Sequence, residues 1–303
     1  MKVGVFYNSF RNPAKFPNKV ALMDNFAQGV TVNGDTVEKF YDSGLPAHPL
    51  DCGFVLGYTL EDNFRRRIID SLESRGVPVV YVDSNILHYA RPEHEWHRYS
   101  LNAVYPSTGV YFFDNLDPDK WQRFSEFHNV RARPWRSHGK HVLIFCQRPH
   151  GWNMFGNNQE SWLFDTVASI RRYTDRPIMI RMHPGDGSRQ AQIDRIKQHL
   201  GNQVSISNHA NIRDALTDCW ASVGYNSTPN VVSAIEGVPV YVQDPANSWA
   251  ADVAFTDLSQ IEQPPMPDRT AWLTRIANIH WSNQEVRDGL LWRAVKKYIS
   301  SAR

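Results

Sequence analysis

Cysteine is scarce in this chain of 303 residues: there are three, Cys52, Cys146 and Cys219. They are too few and too scattered for a disulfide framework or a cysteine-rich zinc module, and the usage fits a reducing compartment. Neither sign of charge is in excess. Lys and Arg together number 33 against 31 for Asp and Glu, which excludes a histone-like polycation and a polyacidic tail but leaves room for a local basic surface. No stretch reaches the roughly 20 apolar residues that span a bilayer. The opening MKVGVFYNSF runs straight into a strand-like segment, without the apolar core and small-residue cleavage site of a signal peptide. The expectation is a cytoplasmic protein with no membrane partner. Several catalytic signatures are also missing. There is no G-x-G-x-x-G after the first strand, no G-x-x-x-x-G-K-[ST], no H-E-x-x-H, no paired C-x-x-C and no G-x-S-x-G. A dinucleotide site, a P-loop, a metal site and a nucleophile elbow are therefore unsupported, and no metal is expected.

Aromatics are plentiful: Trp 10, Tyr 12 and Phe 15. Many must be buried, and a surplus of Trp also suits a ligand cleft or a base-stacking surface. The length points to about two domains. In the first half the strand candidates are Val3–Tyr7, Phe54–Tyr58, Val77–Val82 and Val110–Phe113, each short and bounded by turn residues. Helices are expected over Phe64–Arg75 and Asp117–Phe127. Asn8–Asp51 is long, polar and rich in Gly, Asn and Pro, with only weak helical signal around Val20–Ala27, and reads as a functional loop or as elements the pattern hides. Arg131–Lys140 has the look of a linker. Beyond it, strands (His141–Cys146, Pro177–Met182, Val204–Ser207, Ala221–Tyr225, Val238–Val242) alternate with helices (Ser161–Tyr173, Ala191–Leu200, Asn211–Asp218, Thr228–Glu236), the pattern of a parallel, doubly wound sheet. Two terminal helices follow, Arg269–Ile279 and Asn283–Tyr298. The fold class expected is α/β, with two Rossmann-like domains facing a cleft. The domain boundaries expected are 1–136, 137–280 and 281–303, the last a helix crossing back onto the first domain.

Four constellations could carry chemistry. Val223-Gly224-Tyr225-Asn226-Ser227-Thr228-Pro229 ends a strand and opens a helix, where Ser227 or Thr228 can cap and free N–H groups can bind phosphate. A plain helix cap is the alternative reading. Arg181-Met182-His183-Pro184-Gly185-Asp186 ends another strand; Arg181 is suited to bidentate phosphate binding, and Pro-Gly leaves His183 at the strand tip. Glu236, before the C-cap Gly237, is a weaker candidate for ribose. Gln147-Arg148-Pro149-His150-Gly151-Trp152 puts donors, a cation and an aromatic plane in one loop. Two stretches lack acid altogether: Phe127–Gln159, with Arg131, Arg133, Arg136, Lys140 and Arg148, and Met1–Met23, with Lys2, Arg11, Lys15 and Lys19. They could track a polyanion or form a solvated basic face.

From Pro134 onward the landmarks Pro134-Trp135-Arg136, Gln147-Arg148-Pro149, Tyr173-Thr174-Asp175-Arg176-Pro177, Arg181-x-His183-Pro184-Gly185-Asp186, Tyr225-Asn226-Ser227, Ala234-Ile235-Glu236-Gly237-Val238-Pro239-Val240, Ala251-Asp252-Val253-Ala254 and Pro267-Asp268-Arg269 resemble a family of phage-borne GT-B-type glycosyltransferases. The chain is more distantly similar to capsule-type Kdo and polysialic acid transferases. In the first half the best landmarks are Arg98-Tyr99-Ser100-Leu101-Asn102 and Asp117–Trp121. The resemblance implies that Arg181, His183, Ser227 and Thr228 hold a donor diphosphate, with Asn226 a further donor-binding residue, and that Gln147 and Arg148 line the same cleft. Many GT-B enzymes place a ribose-binding Glu five residues before the helix-terminal Gly. That position is Val232 here, so Glu236 substitutes or something else holds the ribose.

The resemblance further implies transfer of a sugar, a pentose such as arabinose or else glucose, from a UDP-linked donor to 5-hydroxymethylcytosine in double-stranded phage DNA, by a monomer or weak dimer. Arg11, Lys15, Lys19, Arg131 and Arg133 would contact the DNA, and aromatic side chains would stack on an extruded base. Asp114, placed after the expected strand Val110–Phe113, is the candidate base, with Asp83 and Asp51 as rivals and His183 as a further catalytic candidate. A transferase acting on a surface glycan and a non-catalytic nucleotide-sugar-binding protein are the alternatives.

Overall fold

The alternating apolar runs fold into two separate six-stranded sheets. The computed structural model describes residues 1–10, 15–42, 48–87, 95–148 and 152–302. Contacts divide the chain into unit 1, Met1–Phe124 with Leu273–Arg303, and unit 2, Ser125–Trp272. In chain order unit 1 contains β1 (Lys2–Phe6), α1 (Pro17–Val32), β2 (Thr36–Phe40), β3 (Cys52–Leu56), α2 (Phe64–Glu73), β4 (Val79–Asp83) and β5 (Trp96–Leu101); α3 (Lys120–Phe127) ends it. Unit 2 contains β6 (His141–Phe145), α4 (Gln159–Arg171), β7 (Ile178–Arg181), α5 (Arg189–Leu200), β8 (Val204–Ile206), α6 (Ile212–Ala215), β9 (Cys219–Gly224), α7 (Pro229–Ile235), β10 (Val240–Val242) and β11 (Ala254–Phe255). The chain then re-enters unit 1 through α8 (Thr270–Asn278), β12 (His280–Ser282), α9 (Asn283–Arg287) and α10 (Leu290–Ser301).

In unit 1 the strand order is β12-β5-β4-β3-β1-β2. The four strands β4, β3, β1 and β2 are parallel, while β5 and β12 run antiparallel at one side. Phe26 of α1 stacks on Phe54 of β3 at 4.0 Å and meets the edge of Trp292 of α10 at 5.9 Å. The C-terminal helices thus share the core of the first strands, and α10 packs with the N-terminal part of the chain. In unit 2 the order is β11-β10-β9-β6-β7-β8, every pair parallel. Its core is aliphatic, built from Val142, Ile144, Ile178, Ile180, Leu163, Val167 and Ile196 around Trp162 and Trp220. Both units are α/β and Rossmann-like, the fold class expected.

The structure corrects several expectations. Of the two readings of the segment 8–51, the structure bears out the hidden elements: it holds α1 and the edge strand β2. The helix buries Leu22, Met23, Phe26, Ala27 and Val30. The flat polar pattern of β2 reflects an edge strand with no fully buried residue. Val110–Phe113 forms no strand; Val110 makes one antiparallel bridge to Leu101 and Phe112 is left-handed at φ 58°. The expected terminal helix breaks into α9 and α10 at Gly289, whose φ of 75° a side chain would oppose. The first unit boundary falls at 124/125 and not at 136/137. The reason is local: the amides of Arg133 and Arg136 donate to the carbonyls of Ile235 and Gly237, at 2.8 Å each, which ties 133–136 to α7. The last boundary falls at 272/273 and not at 280/281, because β12 pairs with β5.

Candidate active site

The sheet of unit 2 changes direction of growth between β6 and β9: the chain winds from β6 to β7 and β8 on one side, then to β9, β10 and β11 on the other. A crevice outside the carboxyl ends of such neighbouring strands is the usual ligand site of an open α/β sheet. Four polar residues stand there, each the second residue after its strand: Gln147, His183, Asn226 and Asp244.

Gln147, Asn226 and Asp244 form one row across β6, β9 and β10. Asn226 Nδ2 donates to Asp244 Oδ2 at 3.0 Å and to the Asn153 carbonyl at 3.1 Å. Its Oδ1 therefore accepts, and the donor is Gln147 Nε2. That fixes Gln147 Oε1 as an acceptor, buried and without a partner among the described residues, on a residue only 3% exposed. An orphaned buried acceptor of this kind costs on the order of 1–3 kcal/mol unless a ligand or water supplies a donor. Asn247 Nδ2 holds Asp244 from the other side at 2.9 Å. The hydroxyl of Tyr225 accepts from Asn157 Nδ2 at 2.7 Å, and burial, with Asp244 nearby, raises its pKa.

The cationic part lies between β6 and β7. His183 Nδ1 accepts the Gly185 N–H at 3.0 Å, which puts the proton of the neutral ring on Nε2. Arg148 Nε lies 3.5 Å from the same Nδ1, and its guanidinium is exposed. A Cβ on Gly185 would come within 2.7 Å of Arg148 Nη2, the far end of an exposed side chain, so the turn and the guanidinium lie close together. Asp186 anchors the turn to α5. Burial pushes its carboxyl up, but bonds from the Ser188 amide and hydroxyl and from Gln192 prevail and hold its pKa below the usual value.

The helix start after β9 differs from expectation. Pro229 has no N–H, and the amides of Asn230 and Val231 already donate to the carbonyls of Ser227 and Thr228 at 3.0 and 2.9 Å. Thr228 occupies the N-cap position in a helical conformation and makes no side-chain cap. The backbone therefore offers an anion little here. The half-buried hydroxyls of Ser227 and Thr228 bond to no other described residue and remain available as donors.

Other expected residues have different neighbours. Arg181 is buried, and its Nη1 and Nη2 donate to the carbonyls of His209 (Nη1) and Ala210 (Nη2, 2.9 Å), so it holds the loop between β8 and α6. Burial, with Arg189 nearby, lowers its pKa. Glu236 is buried at the far end of α7 between Arg133 Nε (3.0 Å) and Arg213 Nε (2.8 Å), an ion-pair cluster at the amino edge of the sheet and away from the polar row at its carboxyl edge. That pairing also engages Arg133. Arg11 lies outside the described residues, as do Pro149, His150 and Gly151. Lys15 and Arg131 are exposed, and the Lys19 ammonium sits 4.4 Å from the ring centre of Phe16.

Asp114 has an 80% exposed side chain 3.9 Å from Lys297, in a short 3-10 turn. The strand that was to present it is absent. Asp51 precedes β3 and accepts the Lys2 amide at 2.7 Å, at the amino edge. Asp83 alone of the three ends a parallel strand, β4, where Arg98 Nη2 pairs with it at 2.6 Å. Among the described residues no group of three or more His, Cys, Asp or Glu side chains could hold a metal ion, and no helix is long and apolar enough to cross a membrane. Sequence reasoning missed Asp244 and Asn157; the position of Asp244, two residues past a Val-Tyr-Val strand, was the signal available.

No protein-family model matches the chain, and no curated protein does. Solved structures do. The beta Kdo 2,4 transferase of Thermosulfurimonas dismutans KpsC superposes with a TM-score of 0.55 at 13% identity, over 91% of this chain and 90% of that one. The beta Kdo 2,7 transferase of the same KpsC gives 0.54 at 12% identity, over 96% and 98%. The chain has a glycosyltransferase-like fold. At such identities the likeness concerns the fold alone.

Proposed function

We propose that the chain is a glycosyltransferase whose nucleotide-sugar donor, a UDP-sugar, binds at the carboxyl edge of the unit 2 sheet. The observation that carries this reading is the row Gln147–Asn226–Asp244 beside Arg148 and His183 at the switch point of a glycosyltransferase-like fold. The row presents acceptors, suited to hydroxyl and N–H groups. The Arg148 guanidinium, with His183 beside it, and the hydroxyls of Ser227 and Thr228 present donors, suited to a diphosphate. As the bond from sugar to phosphate breaks, charge develops on the leaving diphosphate, and donors already in place stabilise it most in the transition state. The acceptor hydroxyl gives its proton to a carboxylate of unit 1. Asp83 is the choice ahead of Asp114, because it ends a parallel strand.

The acceptor we assign is 5-hydroxymethylcytosine in DNA, with a pentose or glucose transferred. The sequence resemblance to phage-borne transferases supports it, as do Lys15, Lys19 and Arg131, which make no ion pair with a described residue. A second reading, transfer to a surface glycan, is favoured by the fold shared with the Kdo transferases. The test is to incubate the protein with UDP-, GDP- and CMP-sugars and 5-hydroxymethylcytosine DNA, then digest the DNA and weigh its nucleosides. A mass gain on that nucleoside is expected. Donor hydrolysis without the gain moves the acceptor to a glycan, and neither result with any donor overturns the transferase reading.

A further inference from the structure

Gln192 is an uncharged polar residue on the buried face of α5, which it shares with Ile193, Ile196 and Leu200, and it has no exposure to solvent. A polar side chain buried so completely requires partners. Its Oε1 accepts Gln159 Nε2 of α4 at 3.2 Å, which turns its own Nε2 the other way. There Nε2 donates to Ser188 Oγ at 2.9 Å and to Asp186 Oδ2. The other carboxylate oxygen, Asp186 Oδ1, takes the Ser188 amide at 2.9 Å and the Ser188 hydroxyl at 2.8 Å. Among the described residues Gln192 is therefore the one donor to Oδ2. Together these bonds hold the Asp186 carboxyl below its usual range, so that it is fully charged at neutral pH.

A negative charge is awkwardly placed on this turn if the edge binds an anion. Asp186 follows His183 by three residues, and its amide donates to the His183 carbonyl at 3.3 Å. Arg148 Nη2 lies 2.7 Å from where a Cβ on Gly185 would stand, so the guanidinium rests against the residue before Asp186. Arg148 makes no ion pair with a described residue. Opposite charges so near each other attract unless one of them is held elsewhere. A carboxylate released on the turn would take the guanidinium for itself and repel a diphosphate. We infer that Gln192 is a positioning residue that keeps Asp186 turned into the start of α5, leaving the Arg148 guanidinium to an anionic ligand of the pyrophosphate class. Gln159 acts one step further back, by fixing which end of the Gln192 amide meets the carboxylate. The inference rests on the reading of this edge as a diphosphate site.

The experiment is calorimetric titration of the full chain with inorganic pyrophosphate and with UDP, for wild type, Gln192→Met, Gln192→Asn, Asp186→Asn and the double variant Gln192→Met with Asp186→Asn, each with a melting curve. Gln192→Met keeps the length of the side chain and removes the donor. Gln192→Asn keeps an amide one methylene short of Asp186, and it decides the matter should the first variant not fold. Both should bind pyrophosphate about tenfold more weakly than wild type. Asp186→Asn should bind it at least as tightly as wild type. In that background Gln192→Met should change the affinity less than about twofold, because no charge is left to release. Neutralising Asp186 does not restore a turn that has merely lost its packing, so the rescue separates positioning from stability. Unchanged pyrophosphate affinity in a folded Gln192 variant overturns the inference alone, as does a loss that persists undiminished in the Asp186→Asn background. Wild type that binds neither pyrophosphate nor UDP overturns the reading of the site and the inference together.

Discussion

The two sheets meet solvent at their carboxyl edges in different ways. In unit 2 the second residues after β6, β7, β9 and β10 are Gln147, His183, Asn226 and Asp244; Gln147, Asn226 and Asp244 bond to one another, Gln147 Oε1 has no partner among the described residues, and His183 lies beside Arg148. In unit 1 the corresponding residues are Asn8, Tyr58 and Asn85. Asn8 Nδ2 donates to the Asp42 carbonyl, Asn85 Oδ1 accepts the Leu87 amide at 2.7 Å, and Tyr58 lies edge-on to Tyr81 at 5.2 Å. Charged groups in unit 1 are closed on each other as well, Asp24 with Tyr7 and Lys39 and Asp35 with Lys296; Asp83, paired with Arg98 at the end of β4, is the exception to which a role in transfer is assigned. The same α/β plan thus serves two ends. One edge carries a connected polar row, and the other turns most of its polar groups into the fold, although Asn8 Oδ1 there is also a buried acceptor with no partner among the described residues. Substitutions in the two places should accordingly fail in different ways, one in activity and the other in stability.

The largest effects should fall on turnover. Arg148→Ala removes a donor aimed at developing charge and His183→Ala the ring beside it, and in each kcat should drop about 100-fold or more with Tm nearly unchanged. A Tm loss with normal specific activity would show that these residues belong to the closed kind after all. Asp83→Asn should lose transfer by about 100-fold or more while keeping nucleotide-sugar binding. The reverse result, with Asp114→Asn the inactive variant, would return the base to Asp114 and make the 3-10 turn at 113–115 an open site in unit 1.

Stability losses come next. A Cβ at Gly29 of α1 would lie 2.1 Å from the Val286 carbonyl oxygen and 3.2 Å from Gly289 Cα, a backbone-on-backbone crossing with no flexible partner to move. Gly29→Ala should destabilise unit 1 by about 3 kcal/mol, seen as a lower denaturation midpoint, with nucleotide affinity in unit 2 retained. Arg181→Ala tests the boundary between the two kinds of residue. Because its guanidinium holds the carbonyls of His209 and Ala210, the loss should be about 2 kcal/mol of stability. A catalytic loss without it would mean that Arg181 turns to the ligand.

The contrast also explains what was legible in the sequence. Unit 2 could be read because its strands are buried on both faces and interrupted by turn residues, so His141–Cys146 and Ala221–Tyr225 were placed to within a residue or two of β6 and β9. The residues at their ends followed by counting. Unit 1 was harder because β2 is a polar edge strand and because β5 and β12, pairing His280 with Arg98, lie antiparallel across most of the length of the chain, which no local pattern encodes. The roles of Arg181 and Glu236 misled for a related reason: residue type suggests a ligand, but only the fold shows that carbonyls or other side chains already occupy them. Asp114 failed as a strand-end residue because Val110–Phe113 carries strand-like composition without a partner to pair with beyond Leu101.

The smallest effect concerns Asp35, the most enclosed of the paired carboxylates in unit 1. Its Oδ2 accepts Trp292 Nε1–H at 2.7 Å and pairs with Lys296 Nζ at 2.8 Å, while its Oδ1 meets the Met1 amino nitrogen at 2.5 Å. Burial alone would raise its pKa, but the bonds from Lys296, the amino group and Trp292 prevail and hold it at about 2, against an ordinary value of 3.8. The folded state therefore releases this proton more readily than the unfolded one. The resulting stabilisation, about 2 kcal/mol, is complete above the unfolded pKa and is lost as pH falls from about 4 to about 2. Asp35→Asn should abolish that part of the acid sensitivity. The difference in unfolding free energy between wild type and variant should be flat above pH 5 and narrow steadily below pH 4, whereas nucleotide binding at neutral pH should be the same in both. A variant that weakened nucleotide binding without changing the acid limb would place Asp35 among the open residues and dissolve the contrast between the two units.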